Sequence, residues 1–94
     1  MDRMTMYRLE SIVALINSTL DTPPEPYAEQ RDDRGGLVAN AGNYHLDCAY
    51  GGYRLVRMCS GGGERDISPR GTKRETYDYC RAFLDGIDAA VRES

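Results

Sequence analysis

An α+β fold is predicted for this chain of 94 residues, with two helices packed on one face of a short antiparallel sheet. Apolar residues recur at helical spacing near both ends of the sequence, and they alternate with period two in the region 37–68 between them. Hydrophobic residues make up 40% of the chain, which is enough for one thin core and leaves no room for a second domain. The predicted order is therefore α-β-β-α, and a third strand can follow the hairpin.

The first helix is predicted over residues 3–20. Its apolar positions lie three or four apart, at Met6, Leu9, Val13, Ile16 and Leu20. Asp2 can cap the amino end, and the pair Pro23-Pro24 prevents the helix from continuing. Such a helix is stable only if its apolar stripe is buried.

Residues 21–36 are predicted to form an exposed loop and not a strand, because they contain three prolines, seven charged residues and a terminal glycine pair. The stretch from 21 to 34 holds five acidic and two basic residues, which accounts for the net charge of −3 of the whole chain. The rest of the chain is therefore neutral overall.

The region 37–68 is predicted to form a β-hairpin with strands on either side of it. Strands are expected at 37–41, 44–50 and 53–59, with Gly51-Gly52 as the hairpin loop, and 64–68 can add a third antiparallel strand to the hairpin. This loop would pair Tyr50 with Tyr53. One hairpin face, with Tyr44, Leu46, Cys48 and Leu55, should pack on the helices.

The opposite face of the hairpin mixes polar and apolar residues. It carries His45 and Asp47, and Asp47 is placed diagonally to Arg54. We expect this face to be solvated or to form an interaction surface.

The last helix is predicted over residues 72–92. Thr72 and Glu75 form a capping box, in which each side chain binds the backbone amide of the other residue. Gly86 lies inside this helix, where glycine costs about 1 kcal/mol relative to alanine. This cost suggests that the helix packs closely at Gly86.

Basic residues gather at the start of this helix. Arg70, Lys73 and Arg74 lie where the helix dipole favours anions, so the charge pattern opposes the dipole. Exposed amides, the dipole and three cations would together bind a phosphate or carboxylate. The alternative is that these side chains pair with nearby carboxylates, those of Asp66, Glu75 and Asp78.

No catalytic, metal or cofactor site is predicted. Cys48, Cys59 and Cys80 have spacings that fit neither a disulfide framework nor a zinc site, although the three cysteines with His45 could in principle ligate a metal. The run Gly61-Gly62-Gly63 lacks the order of a phosphate-binding loop. We therefore expect a protein that is not an enzyme.

The compartment is expected to be the cytoplasm. Apolar runs are far shorter than the roughly 18 residues of a membrane span, and no cleavage-site pattern follows the run 12–16. No membrane contact is predicted.

The seven tyrosines indicate a surface for a partner. A domain of this size cannot bury all of them, and tyrosine is enriched in interfaces. Tyr50 and Tyr53 cluster at the hairpin beside Arg54, so a protein partner is expected there, and it can be a second copy of this chain. The alternative is a tyrosine-rich edge of the core.

Two resemblances bear on function. An α-β-β-β-α order with basic residues at the start of the last helix is similar to the double-stranded RNA-binding domain. This resemblance implies that Arg70, Lys73 and Arg74 contact phosphates and that the turn at Gly42-Asn43 enters the minor groove. The chain lacks that family's G-P-x-H loop, and its net charge is negative.

The second resemblance covers the pattern Y-G-G-Y-R-L from Tyr50 and G-T-K-R-E-T-Y from Gly71. This pattern resembles small proteins of bacterial phages and mobile elements, and the resemblance implies an accessory protein with no assigned activity. The leading hypothesis is thus a non-enzymatic protein that binds a macromolecule. Its binding residues would be Arg54, Arg70, Lys73, Arg74, Tyr50 and Tyr53. The alternative is binding of RNA or DNA through the basic start of the last helix.

Overall fold

The computed structural model describes residues 3–29 and 37–93, and these residues form two helices and five short strands. In chain order the elements are α1 (Met6–Leu20), β1 (Tyr27–Glu29), β2 (Leu37–Ala39), β3 (Tyr44–Ala49), β4 (Gly52–Met58), β5 (Glu64–Asp66) and α2 (Lys73–Glu93). Strands β3, β4 and β5 form one antiparallel sheet in that order, and β1 pairs with β2 in a separate ribbon. The predicted α+β fold is confirmed.

Helix α1 begins later than predicted. Thr5 is its N-cap, in an extended conformation, and the Thr5 hydroxyl accepts a hydrogen bond from the Arg8 amide at 3.2 Å. The predicted start at residue 3 is therefore wrong, and the proposed cap, Asp2, lies outside the described residues. The helix ends at Leu20, and the left-handed backbone of its C-cap, Asp21, lets the Thr22 amide donate to the Asn17 carbonyl at 2.9 Å.

The ribbon of β1 and β2 corrects the loop prediction. Tyr27 pairs with Ala39 and Ala28 with Val38 in antiparallel register, so part of the predicted loop is a strand. Three residues are too few to show an alternating pattern, and the neighbouring prolines and charges dominate the composition of the segment. Residues 30–36 of the predicted loop lie outside the described residues.

The hairpin of β3 and β4 forms, but its predicted register is wrong. Ala49 pairs with Gly52, so the two loop residues are Tyr50 and Gly51, and both have positive φ angles of 54° and 71°. This conformation is typical of a tight hairpin turn. The pairing is displaced by two residues from the prediction, and the two faces of the hairpin are therefore the predicted ones.

Gly52 has a different reason to be glycine. A Cβ atom built on Gly52 would lie 2.9 Å from Cγ of Arg70. Gly52 is thus needed for close approach, while Gly51 adopts the left-handed turn conformation.

The third strand is confirmed as β5, and it ends earlier than predicted. Val56 pairs with Asp66, and the amides of both Ile67 and Ser68 then donate to the single carbonyl of Leu55. The Ser68 hydroxyl accepts from the Leu55 amide at 2.9 Å. Two residues opposite one interrupt the ladder, as in a β-bulge.

Helix α2 begins at Lys73, directly after its cap. The Thr72 amide donates to the Glu75 carboxylate at 3.0 Å, and the Glu75 amide donates to the Thr72 hydroxyl at 3.1 Å, which confirms the capping box. Hydrogen bonding from Thr72 to the carboxylate, first from its backbone amide and then from its side chain, lowers the pKa of the Glu75 carboxyl. Gly86 does not pack closely, because it is exposed and a Cβ there would meet no atom within 4 Å.

The core lies between the two helices and the sheet face that carries Tyr44 and Leu55. Its buried members come from both helices and both hairpin strands, and they include Leu9, Ile16, Tyr44, Leu55, Cys80 and Leu84. Neither helix in the described part of the chain has the length and apolar character to cross a membrane.

Candidate functional site: the hairpin tip

The residues predicted for binding meet mainly at one end of the hairpin, where the segment before α2 passes beneath the turn. Gly71 forms an isolated antiparallel bridge with Tyr53, with two backbone hydrogen bonds of 2.8 and 2.9 Å. This bridge holds the neighbouring Arg70 against the hairpin. We call the group Asp47, Tyr50, Tyr53, Arg54, Arg70 and Lys73 the hairpin tip.

Arg70 ties the two ends of the turn together. Its Nη1 donates to the carbonyl of Ala49 at 3.1 Å, with longer contacts to those of Asp47 and Gly52 at 3.3 and 3.4 Å. Its Nη2 donates to Oδ2 of Asp47 at 2.6 Å. One guanidinium thus binds backbone carbonyls on both sides of the turn and stabilises it.

Asp47 accepts from a second arginine at the same oxygen. Nη2 of Arg54 lies 2.8 Å from Oδ2 of Asp47, and Nη1 of Arg54 lies 3.1 Å from Oδ2 of Asp66. The hydrogen bond from Arg70 and, next, that from Arg54 hold the pKa of the Asp47 carboxyl below its usual range. Both arginines are therefore bound to carboxylates of the chain itself.

These ion pairs differ in part from the predicted ones. The prediction paired Arg70 with carboxylates near α2, whereas Arg70 binds Asp47 across the hairpin, and Asp66 binds Arg54. The diagonal placement of Asp47 and Arg54 is wrong as well, since the two residues are direct cross-strand partners. One signal could have indicated Asp47, because it is the single acidic residue between 35 and 63.

The aromatic residues of the tip lie on either side of this ionic cluster. Tyr50 is 98% exposed at the apex of the turn, and Cζ of Arg70 lies 5.8 Å from the centre of its ring. Tyr53 is half-buried, with Nζ of Lys73 5.9 Å from its ring centre, and its carbonyl accepts from the Thr76 hydroxyl at 3.1 Å. These distances are typical of weak cation–π contacts.

The sixth predicted residue, Arg74, lies one position further along the first turn of α2 and is half-buried. Glu75 next to it is bound in the capping box. The basic start of the helix thus divides between Arg70, which binds the hairpin, and Lys73, which lies over Tyr53.

The cysteines and the histidine take no part in the ion pairs of the tip. Cys80 is fully buried in the core, and burial raises the pKa of its thiol to about 11, so it is a poor nucleophile. Cys48 and Cys59 are exposed free thiols, and His45 contacts Asn43 and Glu64. Among residues 3–29 and 37–93, no group of three or more His, Cys, Asp or Glu is placed to hold a metal ion.

The chain matches no protein-family model, no curated protein and no solved structure. The resemblances to the double-stranded RNA-binding domain and to phage and mobile-element proteins therefore stay predictions. A function has to be argued from the hairpin tip itself.

Proposed function

We propose that this chain is a non-enzymatic protein-binding module and that Tyr50 at the hairpin tip is the residue its partner engages. The observation that carries the proposal is the position of Tyr50, an almost fully exposed aromatic residue on a turn that Arg70 clamps from below. Exposed tyrosines anchored on rigid backbone are typical centres of protein interfaces, because little entropy is lost when they are buried.

The backbone of Tyr50 supports this proposal independently. Tyr50 has a left-handed backbone, which costs a non-glycine residue roughly 1 kcal/mol. Among the described residues, the one cation or aromatic ring that contacts the Tyr50 ring is the Arg70 guanidinium. An internal role therefore does not account for a tyrosine at this position. A surface that a partner covers does.

The charges of the tip favour a protein over a nucleic acid. Arg54 and Arg70, two of the four basic residues predicted for binding, already donate to Asp47. A phosphate group would have to displace that carboxylate or be repelled by it. Binding of RNA or DNA through Lys73 and Arg74 remains the alternative that an experiment has to separate.

The compartment belongs to the same proposal. Cys48, Cys59 and Cys80 are all free thiols, and free thiols suit a reducing environment. We propose the cytoplasm.

A cross-linking experiment tests the proposal. A photoreactive phenylalanine analogue replaces Tyr50 in one sample and Tyr7 in a control, because Tyr7 is also an exposed tyrosine but lies on α1. We expect illumination in extracts of the source cells to join one protein to position 50 and not to position 7, and Tyr50→Ala should lose that protein in a competition assay. Equal products at both positions would contradict the proposal.

Nucleic acid binding is measured separately, by anisotropy with labelled double-stranded RNA and DNA. We expect no binding at low salt. Binding that weakens steeply as salt is added, and that Lys73→Ala reduces, would replace the proposal by its alternative.

A further inference from the structure

Strand β3 lies at one edge of the three-stranded sheet, so half of its backbone groups point away from β4. In an antiparallel pair these directions alternate along the strand. The carbonyl of Asn43 accepts from the Met58 amide at 2.8 Å, so the odd-numbered residues of this stretch face β4. The backbone amides and carbonyls of Tyr44, Leu46 and Cys48 therefore face outward.

The first of these outward positions is covered by a side chain of α1. The Tyr44 amide donates to Oδ1 of Asn17 at 2.8 Å, and Nδ2 of Asn17 donates to the Tyr44 carbonyl at 2.8 Å. Asn17 is itself 3% exposed, and the Thr22 hydroxyl donates to its Oδ1 at 2.7 Å. The Asn17 amide thus makes the two hydrogen bonds that one residue of a neighbouring strand would make.

The next two outward positions have no such cover. Within the described part of the chain, no residue hydrogen-bonds to the outward amides and carbonyls of Leu46 and Cys48. Leu46 is half-buried and Cys48 is exposed, so this edge of the strand is open to a partner. Two consecutive outward residues offer four hydrogen-bonding groups in the spacing of a β-strand.

A groove of about 440 Å³ runs beside this open edge. One wall is formed by α1 and another by the proline segment that precedes β1. The apolar lining includes Met6, Val13, Ala14, Leu46, Pro24 and Pro26. Among the described residues that line the groove, the carboxylates are Glu10 on the α1 wall and Glu25 on the proline wall, and the one basic side chain is His45.

We propose that this groove binds an extended peptide segment of a partner protein, which adds to β3 as a fourth strand. The peptide backbone would bond to Leu46 and Cys48, an apolar side chain would lie against α1, and a lysine or arginine two positions away would reach Glu10 on the same wall. The spacing of two follows from strand geometry, because alternate side chains share a face.

The acidic lining also distinguishes this occupant from a second copy of the chain. Two copies paired edge to edge would bring two identical acidic grooves together, with Glu10 and Glu25 repeated on both sides. Like charges at an interface oppose association. The groove is a separate surface from the hairpin tip, so either can fail while the other stands.

The test selects random peptides of about eight residues on the intact protein from a displayed library. We expect the selected peptides to share an apolar residue two positions from a lysine or arginine. Replacing alternate backbone amides of a selected peptide by N-methyl amides should abolish its binding, because strand addition depends on those amides. In the NMR spectrum of the protein, the amide protons of Leu46 and Cys48 should shift most.

Two sets of variants complete the test. Cys48→Pro removes one outward amide and leaves the bonds from Asp47 and Ala49 to β4. The affinity for the peptide should therefore fall about tenfold, which is the equivalent of one hydrogen bond. The control Cys48→Thr keeps the amide and should bind the peptide normally. Should Cys48→Pro fail to fold, Glu10→Lys and Glu25→Lys at exposed positions should still lower affinity, and Tyr50→Ala should leave it unchanged.

Three outcomes would overturn the proposal. The first is that no peptide is selected whose binding depends on these residues, and the second is that N-methylated peptides bind as well as the parent. The third is a concentration-dependent dimer in light scattering that Cys48→Pro dissociates, because a second copy would then occupy the edge.

Discussion

Asp47 is the residue on which the ionic part of the hairpin tip depends. One of its carboxylate oxygens accepts from both Arg54 and Arg70, which come from β4 and from the segment before α2. Loss of that carboxylate would leave two half-buried guanidinium groups together with no shared anion between them. Cation repulsion would then replace attraction at the turn.

The pH dependence of stability should report this arrangement. Because the folded pKa of Asp47 lies below its unfolded value of 3.8, the carboxylate stabilises the fold above that pH. The contribution is lost as the pH falls from about 3.8 through the lower folded pKa. We expect Asp47→Asn to lower the free energy of unfolding at pH 7 and to have much less effect at pH 2, measured by urea denaturation.

The matched control is Asp85→Asn, on an exposed carboxylate whose pair with Arg81 is 3.9 Å long. This variant should behave like the parent at both pH values, because such surface pairs contribute little. An equal loss for the two variants at pH 7 would contradict the role of Asp47.

The turn at the hairpin tip could be predicted from its two glycines, but the role of each glycine could not. The sequence Tyr50-Gly51-Gly52 shows that a turn is present, and two glycines suggest a two-residue loop. Gly51 is used for its left-handed backbone, but Gly52 is used because Arg70 passes 2.9 Å from where a Cβ would be. The second reason depends on a residue 18 positions away, so it cannot be read from local sequence.

At the scale of elements, Asn17 decides how α1 meets the sheet. Its amide binds the outward backbone of Tyr44 and is buried, so helix and strand are joined by directional bonds as well as by apolar packing. The helical pattern predicted the buried stripe of α1 but not this contact, because asparagine near a helix end is read as a weak helix former. The partner lies 27 residues away.

We expect Asn17→Ala to lower the free energy of unfolding by about 1–3 kcal/mol, because it leaves a buried amide and carbonyl of Tyr44 without partners. Chemical denaturation followed by circular dichroism measures this loss. Asn40→Ala is the control, since it removes an exposed hydrogen bond to the Glu25 carbonyl and should cost less than about 1 kcal/mol. Equal losses would contradict the role of Asn17.

Helix α2 contains a correctable weakness at Gly86. The residue is exposed and its site is open, so Gly86→Ala should raise the free energy of unfolding by up to about 1 kcal/mol through helix propensity alone. Scanning calorimetry would show the higher melting temperature. Gly71→Ala is the matched control and should destabilise the fold, because its Cβ would lie 3.1 Å from Cβ of Glu75. A loss of stability in Gly86→Ala would show that the helix needs glycine at position 86.

For the whole molecule, the alternating pattern and the two helical stripes were sufficient to predict the α+β fold, the third strand and the helix packing. The strand predicted at 37–41 is present as the shorter β2, but β1 and its pairing with β2 could not be predicted, because the ribbon contributes nothing to the core that a hydrophobic pattern reports. Among the described residues, none from 18 to 41 is fully buried. The core is formed by α1 and by the residues from 43 onward.

The ribbon should therefore be dispensable for stability. Residues 28–38 can be replaced by Asn-Gly, which joins the paired residues Tyr27 and Ala39 through a tight turn. We expect the melting temperature to change by less than about 4 °C. A large drop, or loss of the dispersed NMR spectrum, would show that the ribbon supports the core.

The contact between Asn17 and Tyr44 also bears on the order in which the hairpin and α1 fold. The Asn17 amide can bind Tyr44 on both sides only when β3 is already extended, and β3 is held extended by β4 across a two-residue turn. A helix of 15 residues is marginal by itself, so α1 has little to hold it until that strand exists. We therefore expect the hairpin to form early and α1 to dock late, and changes in α1 should speed unfolding more than they slow refolding.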